Sequence, residues 1–179
     1  MTQSVVIIGT SHRLQGAENY TGSRVDAPPY LRLLELFVAS HEIDCIFEEA
    51  SGLGPTIAQK SFPGIRYCDV DVDPKTSQRH DLGIESGYDC QPIDATDPTM
   101  MNDCYGTELV DRQVSREEFW LKRMQQERFA NALVVCGFAH MLSLAFRVRS
   151  AGYQPVEVFH YTPYDRLCGH QTKNQKPIL

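Results

Sequence analysis

Two histidines follow an apolar segment that ends in glycine, and both do so at the same distance. The segments are VVIIG at 5–9 and LVVCG at 133–137, and the histidines are His12 and His140. An imidazole can ligate a metal or act as a general base. Because glycine permits a tight turn, the G-x-x-H spacing would return each imidazole over the end of the preceding segment. The pair is the first candidate for chemistry in this chain.

Carboxylates follow two further apolar segments. Glu48 and Glu49 follow residues 45–47, and Asp71 and Asp73 follow residues 65–70. Strand alternation places Glu48 and Glu49 on opposite sides of a sheet, so one would enter a site while the other serves the fold. We expect Glu48 to enter the site, with Glu49 as the alternative. The two aspartates could bind a cation or stabilise an ordered loop, and they are weaker candidates for the site than Glu48.

A candidate arginine lies on a predicted helix. Ser115 and Glu118 form a capping box, which predicts that a helix begins there and continues to about residue 130. Arg116 would lie in the first turn, where a cation opposes the helix dipole and so indicates another role. Its guanidinium could bind a substrate carboxylate or stabilise an oxyanion. A solvated salt-bridge face is the alternative, and Arg123 is a second candidate on the same side.

The order of elements predicts where these residues meet. Short β-branched segments alternate with segments of helical length, which is typical of a single α/β domain with a mostly parallel central sheet and helices on both faces. The predicted strands cover 5–9, 43–47, 65–70, 133–136 and 156–160, and the predicted helices cover 28–41, 55–62, 115–130 and 141–151. Ligands bind at the carboxyl ends of such strands, where His12, Glu48 and His140 would lie.

Length and composition limit the classes of protein. The chain has 179 residues and a net charge of −6, and it lacks the basic surface expected of a nucleic-acid binder. No apolar segment approaches the roughly 20 residues that cross a bilayer, and no signal peptide is recognisable. We expect a cytoplasmic protein with no membrane partner, a domain over 1–167 and a polar tail over 168–179. Residues 75–111 show little periodicity and are expected to form either short helices or a cover over a site.

The motifs resemble those of the Tiki/TraB superfamily, which includes Tiki proteases, TraB pheromone-shutdown proteins, erythromycin esterases and haem-binding ChaN-like proteins. The resemblance depends on the paired G-x-x-H motifs, on Glu48 or Glu49 after the second strand, and on the helix that contains Arg116. It spans most of the chain in motif order. It implies an α/β fold whose site uses both histidines and the glutamate, and in several branches metal-dependent hydrolysis of peptide or ester bonds. Because the chain is shorter than most members and has no segment like the membrane anchor of Tiki, we do not expect an extracellular protease.

The chemistry that follows is hydrolysis of a peptide or small-molecule ester. His12, Glu48 and His140 could hold a divalent metal ion with an open position, which would acidify a bound water, while Arg116 stabilises the oxyanion. In a metal-free version, His12 or His140 is the general base and a carboxylate orients its ring. The alternative class is a non-catalytic binding protein for haem, a metabolite, a nucleotide or a protein partner. The sequence leaves the oligomeric state open.

Overall fold

The computed structural model describes the backbone of residues 3–10, 12–16, 27–50, 55–71 and 107–161, and their side chains except at 12, 13, 27 and 107–113. Most of the segment 75–111 and the whole tail 168–179 lie outside the described residues. The predictions made for those two segments therefore stay predictions.

Five strands and five helices make up the described part of the chain. The strands are β1 (Ser4–Thr10), β2 (Cys45–Glu48), β3 (Arg66–Asp69), β4 (Asn131–Gly137) and β5 (Val156–His160). The helices are α1 (His12–Gln15), α2 (Ala27–Ser40), α3 (Ile57–Ser61), α4 (Thr107–Gln126) and α5 (Met141–Ser150). Gly152 adopts a φ of 96° just after α5, the left-handed conformation in which glycine ends a helix.

The strands form one sheet in the order β3-β2-β4-β1-β5, and every neighbouring pair is parallel. The predicted α/β class with a parallel sheet is confirmed. The central strands β1 and β4 pair from Ser4 opposite Asn131 to Thr10 opposite Gly137. Because all strands run the same way, their carboxyl ends lie along a single edge of the sheet.

Helices pack on both faces of this sheet. The first face carries α4 and α5, whose buried side chains join Ile7, Phe47 and Val134 in one apolar cluster. The second face carries α1, α2 and α3, which pack with Ile8 and Leu133 in another. Strands β1, β2 and β4 contribute apolar residues to both clusters in alternation, which explains why their central residues are continuously apolar.

Helix α4 differs from the prediction at its start. It begins at Thr107 rather than at Ser115, and it ends at Gln126. The capping-box interpretation was wrong because no glycine or proline between 107 and 115 interrupts a helix, so Ser115 and Glu118 lie in its interior. Arg116 is accordingly not in a first turn. Although α4 has 20 residues, no helix among the described residues is long and apolar enough to span a membrane.

Candidate functional site

The two G-x-x-H segments leave the sheet side by side. Their strands are neighbours, and beyond the last pair the backbone N–H of Phe138 donates a hydrogen bond to the carbonyl oxygen of Thr10 over 3.1 Å. His12 is the first residue of α1, on the second face, and His140 immediately precedes α5, on the first face. The backbone thus brings both motifs to one edge, while the side chain of His12 lies outside the described residues.

Gly9 is required by the close approach of the second motif. A Cβ atom at this position would lie 2.7 Å from Sδ of Met141 and 3.1 Å from the Cα of Phe138. A side chain at residue 9 would therefore press on Met141 and on the backbone of the turn that precedes His140. The lack of a side chain at Gly9 thus allows the turn of the second motif to pack closely against the first motif.

His140 is buried and has a carboxylate on each side of its ring. Its Nδ1 lies 2.9 Å from Oε1 of Glu117, and its Nε2 lies 3.8 Å from Oε1 of Glu49. The ring also meets the indole of Trp120 edge-on, with 4.7 Å between the ring centroids. The first distance is a hydrogen bond and the second is longer than one. Glu117 therefore orients the imidazole and directs Nε2 toward Glu49.

Glu117 is itself held by two residues of α5. Ser143 Oγ donates to Oε1 over 2.6 Å, and Arg147 Nε donates to Oε2 over 3.0 Å. An ionised carboxylate can only accept hydrogen bonds, so its partner Nδ1 of His140 carries a hydrogen. In the neutral ring, Nε2 is then the nitrogen with a free lone pair. This is the arrangement that a histidine needs to act as a base.

An ion-pair cluster lies on the other side of the imidazole. Nη2 of Arg116 donates to Oε1 of Glu49 over 2.6 Å and to Oδ1 of Asp71 over 2.8 Å. The second oxygen of Glu49, Oε2, accepts the backbone N–H of Gly137 over 2.8 Å. All three charged side chains are largely buried, and that of Arg116, the most exposed of them, is 12% exposed. We call the set Glu49, Asp71, Arg116, Glu117 and His140 the Glu49 cluster.

The indole ring of Trp120 packs against this cluster. The guanidinium of Arg116 lies 5.2 Å from the centre of the indole ring, within the range of a cation–π contact. The indole Nε1 donates to Oδ1 of Asp71 over 3.4 Å, and the ring is fully buried. Trp120 thus contacts the arginine, the aspartate and the histidine of the cluster at once.

Glu48 faces the opposite side of the sheet, as strand alternation requires. Thr56 Oγ1 donates to its Oε2 over 2.5 Å, and Gln15 Nε2 donates to its Oε1 over 3.4 Å. Burial raises the pKa of Glu48 to about 7, although the hydrogen bonds act in the other direction. The structure therefore brings Glu49, the alternative weighed from the sequence, beside His140, and it places Glu48 with α1 and α3.

The other sequence candidates fall at different distances from the cluster. Arg116 belongs to it, whereas Arg123 approaches only the main-chain oxygen of Asp71, at 3.5 Å. Asp71, which carried little weight in the sequence, is a direct partner of Arg116. Asp73 lies outside the described residues. Of the four predicted catalytic residues, the structure brings Arg116 and His140 together around Glu49.

Comparisons with protein-family models, with curated protein sequences and with solved structures gave no match.

Glu117 is the main site residue that the sequence analysis missed. Helix α4 has a fully buried stripe at Glu117, Trp120 and Met124, spaced by three and four residues. A carboxylate on the apolar stripe of a helix requires a buried partner, which here is His140. The signal was present in the sequence, but the capping-box interpretation placed Glu117 in a first turn, where an acidic residue needs no further explanation.

The described side chains do not form a metal site. Within the described ranges, no group of three or more His, Cys, Asp or Glu side chains is arranged to hold a metal ion. Around His140 the carboxylate oxygens already accept hydrogen bonds from Arg116, from Gly137 and from the ring itself. The set of His12, Glu48 and His140 stays a prediction, because it includes a side chain that is not described.

Proposed function

We propose that this chain is a hydrolase of an ester or peptide bond, with His140 as the general base. The observation that supports it is the 2.9 Å contact between Nδ1 of His140 and Glu117, next to the guanidinium of Arg116. A base oriented by a carboxylate, with a cation beside it, is the minimum set for attack of water on a carbonyl group. The resemblance of the G-x-x-H pair to the Tiki/TraB superfamily agrees with this class of reaction.

The first step is removal of a proton from water by Nε2 of His140. The hydroxide formed attacks the carbonyl carbon of the substrate, and the carbonyl oxygen becomes an oxyanion. The imidazolium then returns the proton to the leaving oxygen or nitrogen as the tetrahedral intermediate collapses. Glu117 stabilises the charged ring through the hydrogen bond at Nδ1.

Arg116 supplies the positive charge for the oxyanion. Its guanidinium and the imidazole of His140 flank the same atom, Oε1 of Glu49, at 2.6 and 3.8 Å. A group that approaches Glu49 from the side of this atom would therefore meet the base and the cation together. Because the Arg116 side chain is largely buried, its charge is weakly screened, so the guanidinium would act strongly on an oxyanion placed directly against it.

The experiment is hydrolysis of a panel of p-nitrophenyl esters and fluorogenic peptides by the purified full chain, with chelator and with added divalent ions. We expect turnover in chelator, lost in His140→Gln and reduced at least tenfold in Arg116→Met. His41→Gln is the matched control, because His41 lies at the end of α2 on the second face of the sheet. Turnover that survives in His140→Gln would contradict the proposal.

Two other outcomes are informative. Turnover that requires a divalent ion and is lost in His12→Gln would favour the metal site predicted from the sequence over the metal-free base. Saturable binding of an ester or peptide without turnover, abolished by Arg116→Met, would contradict the hydrolase and favour the non-catalytic binding protein.

A further inference from the structure

The helix that begins with the first motif histidine is very short. Helix α1 has four residues, His12–Gln15, and an isolated turn of this length is unstable without tertiary contacts. Its last two residues are buried, Leu14 in the apolar cluster of the second face and Gln15 with no exposed surface. The position of α1 is thus determined by what Leu14 and Gln15 contact.

Helix α1 forms hydrogen bonds with the residues at the carboxyl end of β2. The side-chain amide of Gln15 donates to Oε1 of Glu48 over 3.4 Å and to the main-chain oxygen of Glu49 over 3.3 Å. The next residue, Gly16, forms an isolated antiparallel bridge with Thr56. Thr56 in turn donates its hydroxyl to Oε2 of Glu48.

Glu48 is the residue common to these contacts. Its carboxyl group binds Gln15 of α1 and Thr56, which is the N-cap of α3 and accepts the backbone N–H of Gln59 over 3.1 Å. Glu48, Gln15 and Thr56 all have 0% exposed surface. Buried hydrogen-bonded groups of this kind restrict the geometry strongly, because each lost partner leaves a desolvated polar atom.

The two adjacent glutamates therefore hold the two motifs from opposite faces of the sheet. Glu49 accepts the backbone N–H of Gly137, the glycine of the second motif. Glu48 binds Gln15, at the end of the one-turn helix that starts with the histidine of the first motif. We propose that Glu48 is a positioning residue that fixes helix α1, and with it the His12 segment, through Gln15 and Thr56. The use that a site would make of His12 rests on the metal site predicted from the sequence, but the test of this inference does not require activity.

The test is long-range ¹H–¹⁵N NMR of the histidine rings in the full ¹⁵N-labelled chain, with His12 and His140 assigned by His12→Gln and His140→Gln. In Glu48→Leu, which removes the acceptor, we expect the His12 ring signals to shift by more than a linewidth while those of His140 do not. Glu48→Gln keeps a carbonyl acceptor at the same length and should retain the signals of the unmodified chain.

A second variant and a control complete the experiment. Gln15→Leu removes the donor rather than the acceptor, and it should reproduce the His12 shift even if Glu48→Leu does not fold. Glu35→Leu makes the same substitution as Glu48→Leu at an exposed position of α2, and it should leave both histidines unchanged. His12 signals that move in neither Glu48→Leu nor Gln15→Leu would overturn the positioning role, as would equal shifts at His12 and His140. If Glu48→Leu or Gln15→Leu loses ester hydrolysis while the His12 signals do not move, the result concerns the proposed function and does not support this inference.

Discussion

Glu117 Oε1 lies 2.9 Å from Nδ1 of His140, although the two residues come from different elements and are 23 positions apart. The carboxylate also accepts hydrogen bonds from Ser143 and Arg147, so helix α4 is attached to the start of α5 at the residue that carries the candidate base. The orientation of the imidazole thus depends on the packing of two helices on one face of the sheet.

The role of this contact is tested by Glu117→Gln. The amide is neutral and cannot stabilise an imidazolium as a carboxylate does, so hydrolysis should fall at least tenfold. Stability should fall by about 1–3 kcal/mol, because a charged partner of Arg147 is lost in a buried setting. Glu118→Gln is the control: Glu118 also pairs with Arg147, at 3.3 Å, but its side chain is 54% exposed. Equal effects of the two variants on hydrolysis would contradict the orienting role.

Arg116→Met should destabilise the fold by about 3–5 kcal/mol. Removing the guanidinium leaves Glu49 and Asp71 as buried carboxylates without their shared cation. The measurement is urea denaturation at neutral pH, with Lys122→Met on the exposed side of α4 as the control, for which a change within about 0.5 kcal/mol is expected. A loss below about 1 kcal/mol in Arg116→Met would show that the two carboxylates do not depend on Arg116.

The elevated pKa of Glu48 predicts a pH dependence of stability. Burial raises this pKa from 4.5 to about 7, so between those values the folded state binds a proton that the unfolded state has released. The contribution of this group is complete below about pH 4.5 and is lost as the pH rises to about 7. Linkage of 1.36 kcal/mol per pKa unit makes the loss on the order of 3 kcal/mol.

Glu48→Gln should remove this dependence, because an amide does not titrate. Denaturation at pH 5 and pH 8 should show the unmodified chain losing stability relative to Glu48→Gln as the pH rises. Glu35→Gln, at an exposed position of α2, should follow the unmodified chain. A pH profile of Glu48→Gln parallel to that of the unmodified chain would place the pKa of Glu48 near its ordinary value.

Gly9→Ala should cost about 1–3 kcal/mol, because the added methyl group overlaps Met141 and the backbone of Phe138. It should also shift the ring signals of His140, since Phe138 belongs to the same turn. Gly64→Ala is the control, because a Cβ at Gly64 meets nothing within 4 Å. A Gly9→Ala chain as stable as Gly64→Ala would mean that Met141 moves aside freely.

Much of the fold could be predicted from the sequence because its signals are local. Continuous apolar segments locate β1 and β4, and the glycine after α5 locates the end of that helix. The start of α4 could not be predicted from the sequence, since a capping-box pattern at 115–118 is equally compatible with the interior of a helix. The capping-box pattern does not indicate that two further turns of α4 precede it, from Thr107 onward.

The candidate site was predictable only in part, and for a different reason. Alternation separates Glu48 from Glu49, yet it does not say which face of the sheet receives the helix that carries Arg116. That choice depends on the packing of α4 and α5 on the first face, which is a property of the whole sheet. Asp71 and Glu117 became site residues for the same reason, since their partners are distant in the chain.

The sheet order has a consequence for synthesis of the chain. Strand β1 lies between β4 and β5, so both of its hydrogen-bonded neighbours come from residues 131–160. During synthesis β1 emerges before both of these neighbours, so neither of the edges that they pair with is covered until residues 131–137 have emerged, and during that interval β1 presents an apolar template to other nascent chains. A product truncated before Asn131 should therefore aggregate, and chaperones that bind extended apolar segments should protect residues 4–10 until residues 131–160 have been synthesised.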